Sequence, residues 1–494
     1  MTRINTNIAS MLAQRVLARQ NSALQVSLER LSTGMRINRG KDDPAGLIAS
    51  ENLRAEKRAI SSAIANAERA EQVINVAEGG LQEIQNLLIE LQSLVSASAN
   101  EAGLSNEERD ANQLQIDSIL QTIDRLANDT SFQGSKLLNG SFDYTVTNIN
   151  TTLLTDVKVN SARIPDGGVL TVDITVLTSG QTAGVFLSTG STSFSSGSNE
   201  GSITIEVTGI DGVQQFTFAS GTSQANIINA VNSFKDAIGV SATASAVDAN
   251  RVEFRSVGFG SSQFVSIKEL NGLTNDFIFA SAAATSALDT YKDAGRDAVV
   301  SINGQQATAN GLEARVVTGG FDVFVDIDGA SGLNTNTGSG SNNTAFTITG
   351  GGANFNLSPN VNLAGKVSLG IETVTTGNLG KAGTGFLSSL AAGATNNVVN
   401  GDLTTGQKVI DEAIKQVSSL RGRLGAFQKH TVGATINSLG IALENTAAAE
   451  AQIRDTDFAA ETAELTRAQI LGQAATQALA IANALPTSVL ALLG

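Results

Sequence analysis

From Ile60 to Val95 the chain places a small or apolar side chain at every third or fourth position without a miss. The series is Ile60, Ala63, Ala67, Ala70, Ile74, Ala77, Leu81, Ile84, Leu88, Leu91 and Val95. Steps alternating between three and four over five heptads predict one long helix with a continuous seam, because a return every 3.5 residues keeps the same face toward a partner. At 1.5 Å per residue the stretch spans roughly 54 Å, which implies a rod. Asp43 followed by Pro44 reads as its N-cap and first helical residue. Ser105 with Glu108 forms a capping box before a second helix, whose apolar face is Ile116, Ile119, Ile123 and Leu126. Two long helices joined by a short connection pack antiparallel.

Both chain ends carry further stripes. Ile4, Ile8 and Met11 start one, and Leu24, Leu28, Leu31 and Met35 continue it. Near the other end Ile410, Ala413, Val417, Leu420, Leu424 and Phe427 form a seam, and Ala468, Leu471, Ala475, Ala478, Ala482 and Leu485 form another. Two helices cannot close a core by themselves, so these seams need partners. The simplest solution folds the ends together, with the middle of the chain inserted at the tip. Alanine buries little apolar area, so the last helix is expected to be marginal alone. Both ends are therefore expected to be largely disordered in a monomer and ordered on polymerisation.

The texture changes between Phe142 and about Asn400, where Gly, Ser, Thr, Ala and Asn dominate and apolar residues recur at period two. Leu170–Val176, Ile203–Val207 and Phe321–Ile327 read as strands, and Asp211-Gly212 turns toward a strand at Gln215–Phe218. One helix is expected near Ala225–Ile238. Residues 331–354 are so rich in Gly, Ser, Thr and Asn that a mobile loop is expected. The fold class is α+β: a long coiled-coil-like helical bundle from both chain ends, with inserted mainly-β domains in the middle.

Composition narrows the chemistry. The chain has no Cys and a lone His430, which removes thiolate sites, most zinc sites and Ser–His–Asp arrangements. No cofactor, metal or catalytic residue is expected, and the chain is not expected to be an enzyme. Of the net charge of −14, residues 141–403 supply most, with 11 basic against 21 acidic side chains. Without a basic stripe, nucleic-acid binding is not expected. Asp322, Asp326 and Asp328 lack the spacing of a calcium loop and read as a solvated sheet face. Residues 468–494 hold no charge over a length that could cross a bilayer. Gln469, Gln473, Thr476, Gln477 and Asn483 interrupt them, and basic anchors are missing, so no membrane span is expected. The first 30 residues include Arg3, Arg15, Arg19 and Arg30 and have no continuous apolar core, unlike a secretory signal.

Several blocks together resemble bacterial flagellin. At the first end these are Ile4-Asn5-Thr6-Asn7, Arg30-Leu31-Ser32-Thr33-Gly34, Arg36-Ile37-Asn38, Asp42-Asp43, Ala45-Gly46-Leu47 and Phe132-Gln133-Gly134. At the second they are Leu424-Gly425-Ala426, Glu444-Asn445, Ile453-Arg454-Asp455, Asp457, Ile470-Leu471, Asn483 and Pro486. Ala225–Val240 with Arg251–Arg255, and Ile302-Asn303-Gly304-Gln305-Gln306, resemble insert modules of the same family.

The resemblance implies a subunit that polymerises with itself into an extracellular flagellar filament for swimming. It implies export unfolded through the flagellar type III apparatus, with a chaperone binding near 455–494 and with cap and hook-associated proteins as partners. It divides the chain into inner-core helices (1–40 with 455–494), an outer-core rod (41–140 with 404–454) and surface domains (141–403). The expected self-assembly seams are Ile4, Ile8, Met11, Leu24, Leu28, Leu31, Ile60, Ile74, Leu81, Ile84, Leu88, Leu91, Val95, Leu471, Ala475, Ala478, Ala482 and Leu485. In relatives sensed by the flagellin-responsive Toll-like receptor, an Arg and a Leu on one helix face a Glu on the next. The corresponding positions here hold Glu90, Leu94 and Gln115. Replacing a guanidinium by a carboxylate removes a bidentate donor, so weak recognition is expected. The alternatives are a hook–filament junction protein, which would build only a short ring, and an extracellular adhesin using the acidic β region.

Overall fold

A computed structural model describes residues 6–100, 103–165, 168–189, 202–246, 248–271, 277–281, 288, 290–329 and 344–493, with side chains of 344 and 485–493 left aside. Eight α-helices run in chain order among them: α1 (Ile8–Thr33), α2 (Pro44–Ser98), α3 (Asn106–Asp129), α4 (Gln224–Asn232), α5 (Lys235–Ile238), α6 (Leu403–Ala426), α7 (Gly433–Arg454) and α8 (Phe458–Leu493). A π-helical segment, Phe427–Val432, joins α6 to α7. The chain divides into two compact units, residues 1–71 with 356–365 and 427–494, and residues 72–355 with 366–426. One boundary, 71/72, falls inside α2, and another, 426/427, falls where α6 meets the π-helical segment.

The larger unit contains a helical part and two β modules. Helix α3 opens with the expected capping box, Ser105 accepting from the Glu108 amide and Glu108 from the Ser105 amide. Asn112 Nδ2 of α3 donates to Ser98 Oγ of α2 at 3.0 Å. Helix α6 runs antiparallel to α2: Gln92 Nε2 meets Asp411 Oδ1 at 2.6 Å, Gln85 meets Ser418 at 3.4 Å, and Arg421 meets Glu78 at 3.0 Å. The buried faces are Ile116, Ile119, Leu120 and Ile123 on α3 and Val409, Ile410, Ala413, Val417, Leu420 and Leu424 on α6.

All eleven residues of the Ile60–Val95 seam are buried within the chain itself, at 2% exposure or less. Ile60, Ile74, Leu81, Ile84, Leu88, Leu91 and Val95, expected as assembly seams, are thus buried in the single chain.

The outer β module is two antiparallel sheets face to face. One has strands Gln305–Gln306, Val299–Ile302, Leu170–Thr178, Thr344–Gly351 and Tyr144–Thr147 in spatial order. The other has Thr308–Asn310, Glu313–Thr318, Phe321–Ile327 and Leu154–Ala162. Alternate residues from both sheets, among them Val172, Ile174, Val176, Val323, Val325 and Phe346, share one core, as period-two patterning requires. Asn303 and Gly304, both at positive φ, make the hairpin turn inside the Ile302–Gln306 motif.

Within this module sits a second one. Its sheets are Ile278–Phe279, Gly184–Ser188, Arg251–Ser256 and Val240–Ala244, and Thr290–Ala294, Phe264–Glu269, Ser202–Thr208 and Val213–Ala219. Ile227 and Val231 of α4 and Ile238 of α5 complete its core. The chain enters and leaves at one rung: Gln181 and Arg296 exchange both backbone hydrogen bonds, at 2.8 and 2.9 Å.

Three expectations for the middle change. The helix expected at Ala225–Ile238 breaks into α4 and α5 around Ser233 and Phe234. Of the loop expected at 331–354, residues 331–343 lie outside the described residues, while Thr344–Gly351 is an inner strand of the five-stranded sheet. Asp322 and Asp326 are not a bare solvated face. Asp322 takes two bonds from Arg315, at 2.9 and 2.6 Å. Asp326 is buried beneath Lys381, 2.9 Å away, which also meets Glu313 at 2.8 Å. Burial alone would lower the Lys381 pKa; the two carboxylates outweigh it and hold the ammonium above its ordinary value.

Candidate functional site

The smaller unit brings together the two sequence blocks that lie farthest apart in the chain. Helix α1 is capped by Asn7, whose Oδ1 accepts from the Ser10 amide at 3.0 Å, and it stops at Gly34, where φ is +73°. The left-handed turn at Gly34 directs the following residues along Ile453–Thr456. There Arg36 N–H donates to Arg454 O at 2.7 Å and Thr456 N–H donates to Gly34 O at 3.0 Å. The Arg36 guanidinium adds two bonds to Ile453 O, at 3.2 and 2.7 Å. Met35 and Asp455 form the rung between them. Downstream, Asn38 and Arg39 N–H groups both donate to Asp42 Oδ2, the Arg39 amide first in holding that carboxyl below its ordinary pKa.

From this knot α1 and α8 run side by side in opposite directions. Arg30 meets Glu461 at 3.4 Å near one end. At the other, Asn7 Nδ2 donates to Ala482 O at 2.8 Å and Ser10 Oγ to Asn483 Oδ1 at 2.7 Å. The contact face is made of small residues. Ser10 and Ser27 on α1 and Ala468, Ala475 and Ala482 on α8 are buried. The three alanines are seven residues apart, so they lie on one line of the helix, and the absence of bulk lets the two backbones approach.

The large apolar side chains point elsewhere. Ile8 is 65% exposed, Met11 63%, Ile470 61% and Ile481 65%; Leu12, Val16, Leu28, Phe458 and Leu471 are exposed as well. Of the terminal residues expected to act in assembly, Ile8, Met11, Leu28, Leu471 and Ala478 are therefore open, Leu24 and Leu31 are half-buried, and Ala475 and Ala482 are used inside the chain. Ile4 and the Leu485 side chain lie outside the described residues. The polar clasp of Asn7, Ser10 and Asn483 was not anticipated; Asn7 directly before an apolar helix start was the available signal.

Alongside this pair, α2 and α7 are tied antiparallel by Glu51 with Arg454 at 2.8 Å and Lys57 with Glu450 at 2.5 Å, and Gln428 of the π-helical segment donates to Glu71 of α2 at 3.1 Å. No residue of α7 is fully buried, and Ile441 is exposed. His430 lies exposed in the π-helical segment. In the larger unit, Glu90 and Gln115 are exposed on α2 and α3, with Leu94 half-buried. Among the described residues, no group of three His, Cys, Asp or Glu is placed to hold a metal, and no helix is long and apolar enough to cross a membrane.

The joined ends coincide with the parts of the chain that match known families. Residues 4–143 match the bacterial flagellin N-terminal helical region, and 407–493 match the bacterial flagellin C-terminal helical region. The flagellin of Salmonella rubislaw is 30% identical, with 99% of each chain covered. The chain belongs to the bacterial flagellin family. Flagellin C of Vibrio cholerae is likewise 30% identical and flagellin A of Helicobacter pylori 28%, each over 99% of both chains. This flagellin is thus a structural subunit of the flagellar filament, and its two helical regions are the ones the Gly34–Arg36 and Ile453–Thr456 knot fastens together. The β modules lie between the two matched regions.

Proposed function

We propose that this subunit polymerises through the outward faces of α1 and α8, its knotted ends forming the innermost layer of an extracellular filament used for swimming. The supporting observation is the exposed apolar set on these two helices, which folding of one chain leaves in water. On this reading residues 1–40 with 455–494 are the inner core, 41–140 with 404–454 the outer core, and 141–403 the surface. Export unfolded through the type III apparatus, a chaperone at 455–494, and cap and hook-associated partners belong to the same proposal.

Electron microscopy of purified protein after salt addition tests it; long filaments are expected, and short rings alone would favour the junction-protein alternative. Ile470→Lys is expected to leave monomer stability within about 0.5 kcal/mol, as surface changes do, and to stop filament growth. Normal filaments from that variant would remove the outward face from the assembly.

We also propose weak activation of the flagellin-sensing Toll-like receptor, because exposed Glu90 offers a carboxylate where a guanidinium is wanted. In a reporter assay Glu90→Arg is expected to raise potency by about tenfold, on the order of one charge-assisted bond. Full wild-type potency with no gain in the variant would refute this.

A further inference from the structure

Two segments connect the outer β module to the helical part of the larger unit, 138–144 outbound and 369–376 returning. They are stitched together by Val374 N–H to Leu138 O at 3.1 Å and Ile371 N–H to Phe142 O at 2.9 Å. Gly370 N–H reaches Asn160 O at 2.8 Å, and a side chain at Gly370 would run into Val159 O and the Tyr144 ring. Beside this stem lies a cavity of about 360 Å³, with Asp143, Asp156, Lys158, Glu372, Gln416 and Leu420 in its wall. Space next to a tightly bonded stem gives the stem somewhere to move.

The charges around the cavity come from every surrounding element. The strand Leu154–Ala162 contributes Asp156 and Lys158, paired at 3.8 Å. The returning segment contributes Glu372, which α6 answers with Arg423 at 3.1 Å, the same guanidinium also bonding Gly370 O at 3.2 Å. Gln416 of α6 is neutral and donates to Gly380 O. Tyr144 is bonded to Ala162 and raised in pKa, by burial first, so it stays protonated. Asp326 on the next strand is held by Lys381. Lys158 and Arg423 are thus each paired directly with another carboxylate and reach Asp143 only at longer range, while Asp143 Oδ1 accepts the Tyr144 amide at 2.7 Å.

We propose that this stem is an acid-responsive joint, in which a proton on Asp143 relieves its repulsion with Glu372 and lets the two connecting segments close on the cavity. Loss of that proton loosens the stem. Burial, aided by Glu372 and opposed by the Tyr144 amide, Arg423 and Lys158, pushes Asp143 up to about 6. Asp156 is raised too, by burial first, but Lys158 opposes that rise directly. Because the Asp143 value is raised above the ordinary 3.8, its contribution to stem stability is fully present below 3.8 and is lost as pH rises through about 6.

Amide hydrogen exchange of 142–144 and 370–374 in the full chain, corrected for the intrinsic pH dependence, tests the joint. Protection is expected to rise about tenfold between about pH 7 and about pH 5, the change that a shift of this size gives by linkage. Asp143→Asn should be flat over that range and as protected as wild type at the acid end, while Asp156→Asn should keep the response. An unchanged response in Asp143→Asn overturns the proposal. Carboxyl carbon shifts in Asp-labelled wild type serve if that variant does not fold: a titration midpoint for Asp143 near 6 supports the joint, and one near 4 overturns it.

Discussion

A chain lacking residues 458–494 is expected to yield no sedimentable filament under any salt condition that polymerises the full chain. The deletion removes all of α8, and with it Ala468, Ala475 and Ala482, the line against which α1 rests. Asn7 and Ser10 lose their acceptors at Ala482 and Asn483, and Arg30 loses Glu461. Helix α1 then has to persist as 26 residues with the Glu29–Arg39 ion pair and five large apolar side chains in water. Most helical stability in proteins comes from tertiary packing, and α1 would have lost the helix it packs against. The deletion also takes away Phe458, Ile470, Leu471 and Ile481, exposed apolar positions of α8. The two β cores contain no residue from the deleted segment, so their thermal unfolding should be unchanged. Sedimentation and negative-stain microscopy measure the first part, calorimetry the second. Tubes of ordinary length from the truncated chain would end the proposed role of the knotted ends.

The second large effect concerns neighbouring residues of α2. Leu88 is 0% exposed in the closed seam, whereas Ile89 is 51% exposed on the next position. Leu88→Ala should cost about 2–5 kcal/mol, the range for truncating a buried leucine. Leu88→Asp should cost more, because the carboxylate would be buried among aliphatic side chains with no counter-charge. That is enough to unfold the helical part of the larger unit, since folded domains are stable by only about 5–15 kcal/mol. Ile89→Asp should fall within about 0.5 kcal/mol. Denaturant midpoints followed by circular dichroism at a helical wavelength give all three. Equal losses at 88 and 89 would mean that α2 does not present one buried face.

This contrast also indicates what patterning could reveal. The seam from Ile60 to Val95 was readable because its period is set by helix geometry, and every position in it is buried. Its partner was not readable from period alone, since a helix that closes on α3 and α6 and one that closes on another copy repeat apolar residues alike. The stripe from Ala468 to Leu485 was read as six equivalent positions. Among the described side chains of that stripe, Ala468, Ala475 and Ala482 are buried, whereas Leu471, between the first two, faces outward. Bulk decides this, because the face of closest approach has room for methyl groups and none for leucine.

Strand Thr344–Gly351 was missed for a different reason. Its alternation is only a few residues long, Ala345, Phe346 and Ile348 being buried, and the Gly, Ser and Asn around it outweighed the pattern. Asp326 lies on the outward side of its strand by alternation and is buried all the same, because Lys381 of the returning segment covers it. Asp143, Asp156, Glu372 and Arg423 are gathered by topology from positions up to 280 residues apart. No local reading reaches such a cluster. The knot between Gly34–Arg36 and Ile453–Thr456 was accessible through the resemblance of both segments, although the backbone pairing that joins them was not.

The rung shared by Gln181 and Arg296 makes the inner β module a guest with a single doorway. Whatever hangs beyond that doorway adds little closure entropy to its host, since doubling a loop's length costs only about 0.6 kcal/mol. Evolution, or an engineer, can therefore exchange the guest module wholesale without altering a residue of α1 or α8. A chain built this way keeps its replaceable part apart from the helices that its two ends share.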